Sequence, residues 1–263
     1  MLAAEKERYL RKTTPLISVL LILISGTCSF ASDDSDYSFS LGVLSWYNNF
    51  NPISRVKGMD VPQSTFALMI GPALKARYKN VFLDASYLIS SGDYNLIKPN
   101  TLVNVHRADV DSSASRNDVN VIIGYVLNPK WTVNVGFEGI YVDDNVSLTS
   151  TRGVAPGRRY ENYNMGIVGA GLSIPFGNRF IWASNSNILL GTFHNNVTYP
   201  PAYRALNEPP FDDVAWGGNF DTKIVCNLLK HLSAEVDVKF QYIKSGSDNS
   251  SFFGPAVRLD YTF

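Results

Sequence analysis

The 263-residue sequence predicts an all-β fold: a closed antiparallel transmembrane β-barrel of about ten strands, within a range of roughly eight to twelve, with long extracellular loops and short periplasmic turns. Three observations predict it. Apolar and polar residues alternate with period two through several segments, the connections between those segments alternate in length, and aromatic residues gather near both ends of the segments.

The first element stands outside that fold. Lys6, Arg8, Arg11 and Lys12 form a basic N-terminal region, Pro15 to Ile24 is almost purely aliphatic, and Ser29-Phe30-Ala31 offers a small-x-small cleavage site. The apolar run is shorter than the ~20 residues a membrane-spanning helix needs. Residues 1–31 therefore read as a cleaved secretory signal peptide, and 32–263 as one barrel domain. Cys28 invites a lipoprotein reading, but Ser25-Gly26-Thr27 departs from the aliphatic-small-small pattern expected before a lipid-modified cysteine. Cys226 is then the one cysteine after the signal, so an intramolecular disulfide is excluded there.

Charge narrows the classes further. The 23 basic and 23 acidic residues cancel, which leaves neither a basic footprint for nucleic acid nor an acidic tail. After the signal, no apolar run reaches the length of a membrane helix.

The strands carry the argument. Leu232, Ala234, Val236, Val238, Phe240 and Tyr242 alternate with Ser233, Glu235, Asp237, Lys239 and Gln241. Val133, Val135 and Phe137 oppose Thr132, Asn134 and Glu138, and near the end Phe253, Val257, Leu259, Tyr261 and Phe263 oppose Ala256, Arg258, Asp260 and Thr262. Successive strand side chains point to opposite faces, so each segment separates a greasy phase from a polar one. In a soluble sandwich the apolar face meets a second sheet. In a membrane barrel it meets lipid, and the polar face lines the lumen.

Ten strands are expected near 37–47, 64–77, 81–90, 117–127, 131–142, 161–174, 179–190, 214–228, 231–243 and 252–262. Short turns centre on Lys79, Asn128-Pro129-Lys130, Phe176-Gly177-Asn178 and Lys230. Long loops span 48–63, 91–116, 143–160 and 191–213, with a shorter one from Ser245 to Ser251. An even count places both termini on the periplasmic side. Aromatic girdles then form from Tyr47, Phe66, Tyr87, Tyr141, Tyr163, Trp216, Tyr242 and Phe253 outside, and from Tyr78, Tyr125, Trp131, Phe180, Tyr261 and Phe263 inside.

The terminus Leu259-Asp260-Tyr261-Thr262-Phe263 resembles the C-terminal signature of the bacterial outer-membrane β-barrel family. The pattern resemblance covers essentially the whole exported chain and identifies a broad class. It implies a multi-pass barrel in the outer membrane of a Gram-negative cell, with Tyr261 and Phe263 read by the outer-membrane assembly machinery.

Lumen-facing parity brings Lys75, Arg77, Lys223, Lys239 and Arg258 together with Asp84, Glu138, Asp221, Glu235, Asp237 and Asp260, with neither sign clearly dominant. Barrels of about eight strands are just wide enough to be filled by side chains, whereas open channels appear at about 16 to 18. A narrow or plugged lumen is the expectation. It makes a structural or surface-interaction protein the leading reading, and a narrow passive channel for ions or small solutes the alternative.

A third reading is enzymatic. Ten-stranded barrels include the omptin proteases, which this chain resembles in strand number and signal architecture. That likeness implies acidic residues and a His-Asp couple at the outer rim. The second loop offers His106, Asp109 and Asp111, and the fourth His194, Asp212 and Asp213. No histidine in the fourth loop stands beside an aspartate, so the family pattern is not reproduced and the chain is expected not to be an enzyme. His231 sits at a turn. Three scattered histidines match no metal-ligand spacing, and no cofactor is expected. The loops instead suggest recognition: Pro200-Pro201 and Pro209-Pro210 stiffen the fourth, while Arg152, Arg158 and Arg159 on the third could contact lipopolysaccharide phosphates in outer-membrane lipid.

Overall fold

The computed structural model describes residues 36–51, 53–56, 59–62, 65–90, 94–103, 106–150, 153–201, 210–246 and 248–263. The expected signal segment 1–31 and Arg152 lie outside the described residues. Strands account for nearly all of the described chain: β1 (Tyr37–Asn51), β2 (Ile53–Val56), β3 (Met59–Pro62), β4 (Thr65–Tyr78), β5 (Val81–Ser90), β6 (Tyr94–Val103), β7 (His106–Val126), β8 (Trp131–Ser150), β9 (Gly153–Phe176), β10 (Phe180–Thr198), β11 (Phe211–Leu229), β12 (Leu232–Ser245) and β13 (Asp248–Thr262).

Ten of these form a closed antiparallel barrel, as the alternation predicts. β1 pairs with both β4 and β13, β5 with both β4 and β7, and β7 to β13 pair in chain order. β2 and β3 make a separate two-stranded ribbon. β6 pairs with the far half of β7, between His106 and Ala114, while Asn117 to Tyr125 of β7 pair with β5. β5 stops at Ser90, so β6 covers an edge of β7 that would otherwise present unpaired backbone.

One end of the barrel is built from tight turns. Lys79 adopts φ 52° and Gly177 φ 65°. Asn128 accepts hydrogen bonds on its side-chain oxygen from the backbone N–H of Lys130 (2.9 Å) and Trp131 (3.0 Å), the turn-forming habit of asparagine. At the same end the Ser40 and Thr262 hydroxyls meet at 2.9 Å where β1 closes against β13.

The opposite end extends further than the sequence suggests. β8 has 20 residues and β9 has 24, although a tilted strand crosses a bilayer in about 9–11. The expected loop 143–160 is mostly a continuous ribbon, with Asp144 opposite Arg159 and Asn145 opposite Arg158. Its inner face mixes the charged Asp144 and Arg159 with the buried apolar Val146 and Ala155, so the period-two signal fades while the pairing continues.

Alternation is clearest in the middle of β10. Ile188 and Leu190 are 72% and 63% exposed, whereas Leu189 between them is fully buried. Outward apolar side chains, among them Val135, Val168, Ile224, Val236 and Leu259, form a belt too extensive for an aqueous surface and suited to lipid. Aromatic pairs flank it: Tyr37 stacks on Tyr78 (4.5 Å) and Phe176 on Phe180 (5.6 Å) near the turns, and Tyr47 on Phe66 (5.4 Å) near the far end. Tyr163 corrects the expected outer girdle. It shares inner-face parity with Met165 and is buried, its ring on Phe193 (4.5 Å) and its hydroxyl 3.3 Å from that of Ser250.

Candidate functional site

The barrel interior is layered, and register decides which residues meet. Nearest the turns, Lys75 lies across from Asp84 and Glu235 across from Arg258. Lys75 bonds Glu235 and reaches Asp260 at 2.9 Å, Lys223 approaches Glu235 at 3.4 Å, and Arg258 bonds Asp84 and Asp260, each at 2.8 Å. Three cations and three anions from β4, β5, β11, β12 and β13 thus compensate one another. Gly42 faces Asp260, and a Cβ there would collide with that carboxylate and with the Leu259 carbonyl. Glycine at 42 makes room for the network.

The next layer is more weakly paired. Lys239 lies 3.6 Å from Asp237, Gln241 donates to Glu138 (2.9 Å), and Asn185 donates to Asp221 (2.9 Å). Arg116 and Asp118 join it through two hydrogen bonds of 2.6 Å. The guanidinium of Arg116 also sits 4.0 Å from the Phe252 ring centroid and 5.4 Å from that of Trp46, a cation–π arrangement. Arg116 and Asp118 are not among the expected lumen charges: Arg116 falls in the expected second loop, and Asp118 lies in the expected strand 117–127 without being assigned to the lumen face. Their i, i+2 spacing on β7 was the available signal.

Above these groups the interior turns apolar. Met69, Ile140, Met165, Ile167, Leu189, Ile243 and Phe252 are at most 2% exposed and belong to one cluster. This layer was not foreseen, since runs such as Ile188-Leu189-Leu190 are apolar on both faces and conceal which face is inward. Beyond the cluster, Arg159 is buried, 2.7 Å from Asp144 and 3.5 Å from Glu161.

Adjacent parity splits the arginines expected to act together. Arg159 points inward, away from any lipid contact, whereas Arg158 points outward, bonds Asp143 at 2.8 and 2.5 Å and covers the Tyr160 ring at 4.6 Å. Its hydrogen bonds to Asp143 raise the Arg158 pKa further above its already high ordinary value. Arg77, also expected in the network, is exposed and donates instead to the Lys79 carbonyl (2.9 Å). Tyr261 is exposed on the outer face of β13, and Phe263 follows that strand.

The structure does bring a histidine to an aspartate. The β10–β11 register sets His194 opposite Asp212, with Nδ1 2.7 Å from Oδ1. Eighteen residues separate the two in sequence, so only the strand pairing reveals the contact. Their side chains are 44% and 82% exposed, while Phe193 and Asn195 on either side of His194 are buried. The pair therefore stands on the outer face of the wall, and the rim carboxylates Asp144 and Glu161 stand on the inner face beside Arg159. His106, Asp109 and Asp111 lie on β7. His231 contacts the Thr262 carbonyl oxygen at 3.0 Å. Among the described residues, no three His, Cys, Asp or Glu converge as metal ligands.

Two interior spaces complete the site. A cavity of about 130 Å³ lies among the charged residues, and a vestibule of about 830 Å³ adjoins the turn Asn128-Pro129-Lys130; Asp84, Asn185, Asn187 and Lys223 line both.

No family model matches the chain, and no curated protein matches it. Solved structures do. The outer-membrane protease OmpT from Escherichia coli aligns with a TM-score of 0.50 at 12% identity, over 86% of this chain and 96% of that one. The translocator domain of the autotransporter NalP from Neisseria meningitidis gives 0.45 at 10% identity, over 98% and 97%. The Pseudomonas putida toluene transporter TodX gives 0.34 at 12% identity, over 92% and 78%. These proteins differ in activity and are all outer-membrane β-barrels. The OmpT likeness is one of fold alone, and it agrees with the class defined by the closed barrel, its lipid-suited belt and its turns.

Proposed function

We propose that this chain is an integral outer-membrane barrel whose lumen is closed and whose work is done by the extended outer ribbons, as a structural or surface-interaction protein. The short turns face the periplasm and the ribbons face the medium. The observation that carries this reading is the buried apolar cluster around Met69, Met165 and Leu189. A solute path through it would have to displace close-packed side chains, and cores of this kind leave few voids as large as a water molecule.

Outer-membrane lipid is the proposed contact of the rim, through outward groups such as Arg158 and Lys244, whose ammonium lies 5.7 Å from the Trp216 ring centroid. The C-terminal strand, with Tyr261 and Phe263, is the proposed contact for the assembly machinery. The outward placement of His194 and Asp212 argues against hydrolysis within the barrel, because the couple and the inward rim carboxylates lie on opposite sides of the wall. Proteoliposomes carrying the protein are expected to swell no faster than empty liposomes in isosmotic arabinose. Swelling at the rate of a porin control would refute the closed lumen.

A further inference from the structure

The vestibule at the turn end carries positive charge that the barrel leaves unmatched. Among the described residues, four cations line it, Lys75, Arg77, Lys130 and Lys223, against one carboxylate, Asp84. Lys75 and Lys223 are committed to Glu235, and Asp84 is bonded by Arg258. Arg77 and Lys130 differ from these: both are exposed, and among the described residues neither is ion-paired with a carboxylate. Both are nevertheless held in place. Arg77 donates through Nε to the Lys79 carbonyl (2.9 Å), which leaves its two terminal nitrogens without a protein partner. The backbone N–H of Lys130 is fixed on the Asn128 side chain (2.9 Å). The Val126 N–H donates to the Asn80 carbonyl (2.7 Å), which sets the two turns side by side.

Beside these cations lies apolar surface. Arg77 stands opposite Phe82 in the β4–β5 register, and Phe82 opposite Gly124 in the β5–β7 register. A Cβ at Gly124 would strike the Phe82 ring, so glycine at 124 lets the ring lie along the wall. Ile122 on the same face of β7 and Ile181 on β10 line the same space, and all three apolar side chains are partly open. Water solvates the two cations but gains nothing on the apolar wall, so a ligand that offers an anionic head and an apolar body satisfies both.

We propose that the vestibule binds a small organic carboxylate from the side of the turns, with its head on the Arg77 fork and the Lys130 ammonium and its apolar body on Phe82, Ile122 and Ile181. The planar guanidinium suits a carboxylate because two parallel N–H groups meet its two oxygens. The volume of about 830 Å³ lies within the range of about 300–1,000 Å³ typical of small-molecule sites. The ion network and the apolar cluster close the space beyond, so the ligand is held and not passed on. The site stands whether or not the lumen conducts, since every proposed contact lies at the turn end.

The test is fluorine NMR of the folded barrel in zwitterionic lipid nanodiscs at neutral pH, with empty discs subtracted. The probes are 4-fluorobenzoate, the neutral 4-fluorobenzyl alcohol, the cationic 4-fluorobenzylamine, and fluoroacetate, which carries the head without the body. Saturable binding is expected for 4-fluorobenzoate, at least tenfold weaker binding for fluoroacetate, and none for the alcohol or the amine. Arg77→Gln is expected to weaken 4-fluorobenzoate binding at least fivefold and Lys130→Gln severalfold. Arg179→Gln, at an exposed turn position that does not line the vestibule, leaves binding unchanged. Phe82→Ala is expected to narrow the preference for 4-fluorobenzoate over fluoroacetate; if it does not fold, the two exposed cation variants carry the test. Equal binding of the alcohol, no saturable binding of 4-fluorobenzoate, or unaltered binding in both Arg77→Gln and Lys130→Gln would overturn the proposal and leave a vestibule of solvated cations.

Discussion

Glu235→Gln tests the interior ion network most sharply. Glu235 is 4% exposed and faces Lys223 at 3.4 Å as well as the Lys75 ammonium. At an effective dielectric constant of about 20, one unit pair at that separation is worth about 5 kcal/mol, before the cost of desolvating the carboxylate is subtracted. Loss of one partner from a buried pair costs about 3–5 kcal/mol, because the remaining charge is stranded. Here two cations lose their shared partner, while Lys75, 29% exposed, recovers part of the loss from water and from Asp260. A net loss of about 3 kcal/mol is expected from these opposing effects. The assay is reversible urea unfolding of the barrel into lipid vesicles, followed by tryptophan fluorescence. Arg158→Ala is the control, because the Arg158 and Asp143 side chains are 52% and 33% exposed and water screens such a pair, so its loss is expected to leave stability nearly unchanged. If Glu235→Gln unfolds within 1 kcal/mol of Arg158→Ala, the network does not hold the barrel together as described.

Three further outcomes follow from the packing. Gly42→Val is expected to disrupt closure of β1 on β13, because the new side chain meets the Asp260 carboxylate and the Leu259 backbone; loss of the folded, heat-modifiable band on SDS gels reads this directly. Leu189→Ala removes a fully buried side chain from the apolar cluster and is expected to cost about 2–5 kcal/mol in the same urea titration. His194→Ala breaks a pair on the outer face and is expected to change stability by less than about 1 kcal/mol.

Where one face of a strand is polar and the other apolar, the sequence was enough. Most of β12 and the stretch Phe253 to Thr262 of β13 are legible in the alternation, and the partners Lys75, Asp84, Glu235, Arg258 and Asp260 all have inner-face parity, which alternation alone supplies. Legibility failed where that contrast fails. Ile188-Leu189-Leu190 and Ile140-Tyr141-Val142 are apolar on both faces, so the inner cluster was invisible. From Asp143 to Arg159 the inner face mixes Asp144 and Arg159 with the buried Val146 and Ala155, and the outer face mixes Val154 with polar neighbours, so a paired ribbon reads as a loop and two adjacent arginines with opposite orientations read as one patch. The His194–Asp212 contact is a product of cross-strand register, which spacing along the chain does not encode.

The closed lumen is tested most directly by single-channel recording of the purified protein in planar bilayers. Wild-type barrel is expected to give a silent baseline over many insertions confirmed by protease-accessible outer ribbons, while a variant carrying Met69→Ala, Met165→Ala and Leu189→Ala, if it inserts, serves as the opened comparison. Discrete conductance steps from the wild-type protein would contradict the account.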